Sequence, residues 1–133
     1  MSTPIPPVRQ YMTESPHTVG AEQTLAHAHT VLYEKRIRHL PVLRGGQLVG
    51  LLSERDVALV TSLKDVDANT ITVEEAMSLA IYKVPPDAPL DKVCSEMAAK
   101  RLGSAIVVEH GHVVGILTTV DVCSALAELL QSR

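Results

Sequence analysis

Two pairs of a hydroxyl and a carboxylate are the residues of this sequence best placed to do chemistry. They are Ser53-x-x-Asp56 and Thr118-x-x-Asp121, preceded by Gly50-Leu51-Leu52 and Gly115-Ile116-Leu117. Two roles are open to such a pair. The spacing is that of a helix capping box, in which the hydroxyl accepts the N–H of the third helical residue and the acid reaches back to the cap's own N–H. Such boxes prefer Glu or Gln at the acid position, and Asp is shorter, but an acid in the first turn also complements the helix dipole. On spacing alone the cap is the favoured reading. The other role is a grip on a ligand. Free N–H groups at a strand-to-helix junction form an anion site, and a carboxylate beside it accepts two hydrogen bonds from a vicinal diol, which suits a ribose phosphate. Gly50 and Gly115 would leave room for a flat ring, although strand glycines also serve close packing.

The elements that must position these pairs recur at a fixed offset of 65 residues. Val8 to Met12 reads as a helical turn and His17-Thr18-Val19 as a brief strand. From Glu22 to Arg36, Leu25, Ala28 and Leu32 mark an amphipathic helix with a basic end, Lys35-Arg36. Leu40 to Leu43 and Gln47 to Leu52 read as a hairpin about Arg44-Gly45-Gly46, whose glycines supply positive φ. Ser53 then opens a helix to about Ser62. Val8/Val73, Met12/Met77, Val19/Val84, Leu25/Leu90, Val42/Val107, Gly50/Gly115 and Asp56/Asp121 are identical pairs in this register. The period is too long for a solenoid unit and marks a duplicated small domain, each half reading βαββα. The expected organisation is an extended lead-in at 1–7, repeats at 8–62 and 73–133, and a polar connector at 63–72. Two halves of about 60 residues are each marginal and should pack on one another.

Composition narrows the function classes. Apolar residues at 46% and charged residues at 20% are those of a globular chain. No run reaches a membrane span, and the start lacks the pattern of a signal peptide, so the chain reads as cytoplasmic. A formal charge of -3, three Tyr and no Phe or Trp argue against a nucleic-acid platform. Cys94 and Cys123 fall in apolar helical patterns and read as buried, reduced thiols. His27 and His29, two apart on a helix, and His110 and His112, flanking a turn glycine, lack metal-ligand spacing. The methionine pair Met12 and Met77 reads as core packing. No nucleophile and base set accompanies Ser53 and Asp56, so the reading is against catalysis.

Met12-Thr13, Ile37-Arg38-His39-Leu40-Pro41-Val42, Gly46-Gln47-Leu48-Val49-Gly50 and Ser53-Glu54-Arg55-Asp56, together with the duplication, carry a resemblance. From about residue 8 to 130 the chain resembles a tandem pair of cystathionine-beta-synthase (CBS) domains, or Bateman module, of the stand-alone bacterial type. The resemblance implies an α+β fold of two βαββα CBS repeats packed about a pseudo-twofold axis, with two clefts for AMP, ADP, ATP or a related adenosyl ligand. It implies that Asp56 and Asp121 hold ribose hydroxyls, with Ser53 and Thr118 near ribose and phosphate. It further implies that Thr18-Val19 and Lys83-Val84 wall the base pocket, with His39, Leu40 and Pro41 at its edge. CBS pairs commonly form disc-like homodimers.

The copies are unequally equipped. Arg38, His39, Pro41 and Arg55 of the first align with Gly103, Ser104, Ile106 and Val120 of the second. Arginine gives bidentate, charge-assisted donors to phosphate, so the Asp56 cleft is expected to bind nucleotide better, although Arg38 or Arg55 reaching across the axis would serve either cleft. The expected function is a non-enzymatic regulatory sensor of adenosine nucleotides, acting on an unknown protein target. The alternative is a ligand-free interaction or dimerisation scaffold with degenerate sites.

Overall fold

The computed structural model describes residues 4–133, so the first three residues of the expected lead-in lie outside the described residues. In chain order it contains a 3-10 turn (Val8–Gln10), β1 (Thr13–Glu14), β2 (Val19–Gly20), α1 (Leu25–Lys35), β3 (His39–Arg44) and β4 (Gln47–Ser53). There follow α2 (Glu54–Thr61), α3 (Val73–Ala76), β5 (Lys83–Val84), α4 (Leu90–Lys100), β6 (Ser104–Glu109), β7 (His112–Thr118) and α5 (Thr119–Gln131). The fold is α+β, with two sheets and five α-helices among the described residues.

The hairpins follow from turn chemistry. Gly45 and Gly46 have φ of 56° and 80°, the left-handed pair that a two-residue turn between twisted strands requires. In the second copy His110 takes the first of these positions at φ 52°, with Gly111 at 78°. Helix α1 starts at Leu25, later than the periodicity alone places it, because Thr24 caps it by accepting the His27 N–H at 3.2 Å. Helices α1 and α4 each end on an arginine in left-handed conformation, Arg36 and Arg101, whose N–H groups close the last turn.

The described chain folds into two compact units, residues 17–81 and residues 4–16 with 82–133, offset from the repeats read in the sequence. In the first unit β2 pairs parallel to β3, and β3 antiparallel to β4. Leu25, Ala28 and Leu32 of α1 pack with Val19, Leu40, Val42, Leu52, Val57 and Val73. Burying a side chain of this size contributes about 1.5–3 kcal/mol. In the other unit, β1, β7, β6 and β5 lie in that order, and Leu90, Val93 and Met97 pack with Val8, Val84, Val107 and Leu117.

Each unit thus contains an opening segment contributed by the other repeat of the sequence, held by the same hydrogen bonds. The Leu90 N–H donates to the Pro6 carbonyl and the Val8 N–H to the Ala88 carbonyl. At the offset of 65, Leu25 donates to Ile71 and Val73 to Gln23. The lead-in from Pro6 onward is therefore anchored. Strand β1, absent from the βαββα reading, pairs Thr13 with Ile116 and Glu14 with Gly115. Cys123 also departs from expectation. Helix α5 turns Ala125 to the core and leaves Cys123 exposed, while Cys94 is half-buried and its thiol is pushed up by burial and then by Asp91.

Candidate functional site

Both sequence pairs sit where a strand ends in extended backbone and a helix begins. Ser53, at φ -110° and ψ 160°, accepts the Asp56 N–H on Oγ at 3.0 Å and donates its own N–H to Asp56 Oδ2 at 2.9 Å. Thr118 accepts the Asp121 N–H at 3.4 Å and donates its N–H to Asp121 Oδ2 at 2.9 Å. Both are complete capping boxes, so the shorter Asp does reach back. Capping engages only part of each carboxylate, since an ionised Asp has about four acceptor positions.

Around Asp56, unit 17–81 gathers residues from β3 and α2. His39 lies opposite Ser53 in the β3–β4 ladder, and the Glu54 N–H donates to the Arg38 carbonyl at 2.8 Å. Burial lowers the affinity of His39 for a proton, and Arg38 adds to this, against the opposing pull of Asp56 and Glu54. Arg38 Nε approaches Glu54 at 3.9 Å with the two side chains 77% and 67% exposed, so this pair contributes little and leaves the guanidinium available. Arg55 is exposed on the first turn of α2 and has no ion pair among the described residues. Thus Arg38, His39, Ser53, Arg55 and Asp56 come to one strand-and-helix end.

The remaining residues of the first copy lie further along the sheet. Val19 and Leu40 belong to the apolar core, 3% and 0% exposed, so neither presents surface to a ligand. Val19 lies on β2, an edge of its sheet, next to exposed Thr18. Pro41 is fully buried and pairs with Leu51. In the other unit Val84 is likewise a core residue, whereas its neighbour Lys83 is exposed on the edge strand β5.

The space beside the two glycines is filled, contrary to the expectation of room for a flat ring. A Cβ at Gly50 would collide with the sulfur of Met77, and one at Gly115 with the sulfur of Met12. The glycines admit methionines that the sequence reading had placed only in the general core.

The second copy is differently dressed. Ser104 takes the place of His39, opposite Thr118 in the β6–β7 ladder, and its hydroxyl is buried without a hydrogen-bond partner. Val120, in the place of Arg55, is exposed. Asp121 receives a further donor that sequence reasoning missed. Thr13 Oγ1 lies 3.1 Å from Oδ1 and 3.3 Å from Oδ2, and Thr118 Oγ1 also reaches Oδ2, at 3.1 Å. No group of three or more metal-ligating side chains gathers among the described residues, and no described helix is long and apolar enough to cross a membrane.

The CBS domain family model matches residues 8–61 and 73–128. The CBS domain-containing protein YhcV of Bacillus subtilis is 30% identical over 114 residues, covering 86% of this chain and 81% of that protein. The L-aspartate semialdehyde sulfurtransferase of Methanocaldococcus jannaschii is 30% identical over 124 residues, covering 92% of this chain but only 23% of the enzyme. Among solved structures, the CBS domain pair of protein MJ0100 in complex with 5'-methylthioadenosine and S-adenosyl-L-methionine superposes with a TM-score of 0.84. The two are 28% identical, covering 94% of this chain and 98% of that one.

Proposed function

Since the chain belongs to the CBS domain family, with two matched copies spanning most of its length, we propose that it is a non-catalytic regulatory module that binds an adenosyl ligand through the ribose. The observation that carries this reading is the Asp56 carboxylate. Its Oδ2 accepts the Ser53 N–H, and among the described residues no donor reaches its Oδ1. A free oxygen at a helix N-terminus, beside a capping hydroxyl and two arginines, matches a ribose diol followed by phosphate. The complex of the MJ0100 pair with two adenosyl compounds supports the same ligand class. Exposed Thr18, beside edge strand β2, and exposed Lys83, on edge strand β5, flank the base in the two copies.

The Asp56 site is the stronger one for AMP, ADP or ATP, because Arg38 and Arg55 stand where the second copy has Gly103 and Val120. Ligand regulates a protein target by binding one arrangement of the chain better than another. Exposed Leu126, Leu129 and Leu130 of α5 supply apolar surface for association of two copies, which sedimentation of Leu126→Glu against the parent tests.

Titration calorimetry with AMP, ATP, S-adenosylmethionine and 5'-methylthioadenosine tests the central reading on the parent, Asp56→Ala and Asp121→Ala. Loss of AMP affinity chiefly in Asp56→Ala is expected. Equal loss from both changes would remove the asymmetry, and no heat with any ligand would favour a scaffold with empty sites.

A further inference from the structure

The two ribose acceptors differ in a feature that the aligned arginines do not describe. Thr13 Oγ1 is nearly equidistant from both oxygens of Asp121, which places it across the open mouth of the carboxylate fork. The cap donors come from Thr118 and converge on Oδ2. A vicinal diol that grips a carboxylate with both hydroxyls approaches through that same mouth. At the offset of 65, Thr13 corresponds to Ser78, and there the contact is missing. Ser78 Oγ instead accepts the Ala80 N–H at 3.1 Å and gives Asp56 no hydrogen bond among the described residues.

Counting acceptors makes the difference concrete. A carboxylate has about four lone-pair positions. Asp121 Oδ2 already takes the Thr118 N–H and hydroxyl, and Thr13 lies across Oδ1 and Oδ2. Asp56 has one cap donor, the Ser53 N–H, on Oδ2. Asp56 can therefore receive both hydroxyls of a ribose, while Asp121 must release Thr13 to do so.

On the premise that Asp121 is a ribose acceptor, we propose that Thr13 is a specificity-determining residue of the second copy, an internal donor that competes with the ribose diol. The ligand class that this site takes with least loss is an adenosyl compound presenting a single ribose hydroxyl to the carboxylate. Because Thr13 lies on β1, paired with Ile116, a ligand that displaces its hydroxyl also acts on the segment that enters this unit from the start of the chain.

The experiment uses the full chain in an Asp56→Ala background, so that Asp121 is the remaining acceptor. Binding of 5'-methylthioadenosine and of its 2'-deoxy analogue is measured by calorimetry with Thr13, with Thr13→Val and with Thr13→Ser. Valine keeps the β-branched shape on the strand and removes the donor, so the ribo ligand should bind roughly tenfold more tightly, the scale of one charge-assisted hydrogen bond. The preference for ribo over 2'-deoxy ligand should open from near unity to roughly tenfold. Thr13→Ser keeps the hydroxyl and should track the Thr13 parent. Unchanged or weaker ribo binding in Thr13→Val, with an unchanged deoxy ratio, overturns the proposal. Equal binding by Asp56→Ala and by Asp56→Ala with Asp121→Ala removes the ribose premise itself, a separate result that overturns both.

Discussion

Met12 lies against the bare Cα of Gly115, so close that a Cβ there would collide with its sulfur. The duplicate relationship joins Met77 to Gly50. Neither glycine has a positive φ, so the requirement is space and not backbone freedom. Gly115→Ala should then destabilise the protein by overpacking, by about 1–3 kcal/mol. In a Met12→Ala background the obstacle is gone, and the same change should be close to neutral, giving a coupling of similar size in a double-mutant cycle read by urea denaturation. Additive single changes would show that the methionine and the glycine do not constrain each other.

The helices and hairpins were legible in the sequence because their signals are local. Leu25, Ala28 and Leu32 recur at helical spacing, and Gly45-Gly46 marks its own turn. The exchange of opening segments was illegible, because β1 is two residues long and pairs with a partner about a hundred residues away, where periodicity carries nothing. The site divided in the same way. Ser53 with Asp56 and Thr118 with Asp121 could be found because each pair is contiguous and repeated. Thr13 on Asp121 could not, since its contact spans a separation of 108 residues. Gly50 and Gly115 were seen as special, but a missing side chain does not say what fills the gap.

The capping boxes make the stability of the fold depend on the same side chains that a ligand would use. Ser53→Ala and Thr118→Ala should each cost about 1 kcal/mol, the usual loss of an N-cap hydroxyl, as a lower urea midpoint at unchanged slope. Thr118→Ala should cost the more, since Thr118 Oγ1 also donates to the carboxylate that Thr13 engages. A shift below a few tenths of a kcal/mol would mean that water replaces the cap without loss.

His39 gives a pH dependence of defined sign. Burial and Arg38 hold its folded-state proton affinity below the ordinary value, so between the folded pKa and the unfolded value of about 6.5 the unfolded chain carries more protons. Stability therefore rises with pH through that window and falls as the solution is acidified below about 6.5. His39→Gln should flatten this component when urea midpoints are compared from pH 5 to 7.5. A parent slope that survives the substitution would assign the effect to other groups.

The arginines beside Asp56 should discriminate ligands by charge and not by ribose. Arg38 is tied to Glu54 only by a long, exposed contact and Arg55 by none among the described residues, so both guanidinium groups can turn to a phosphate at little cost. Arg38→Gln and Arg55→Gln should each weaken AMP binding by roughly tenfold, the scale of a hydrogen bond to a charged group, while 5'-methylthioadenosine, which lacks phosphate, binds as before. Asp56→Ala should weaken both ligands alike, because both present the same ribose. Raising the salt concentration should reproduce the arginine pattern, weakening AMP more than the uncharged compound. If the arginine variants weaken both ligands equally, these side chains shape the site and do not read the phosphate.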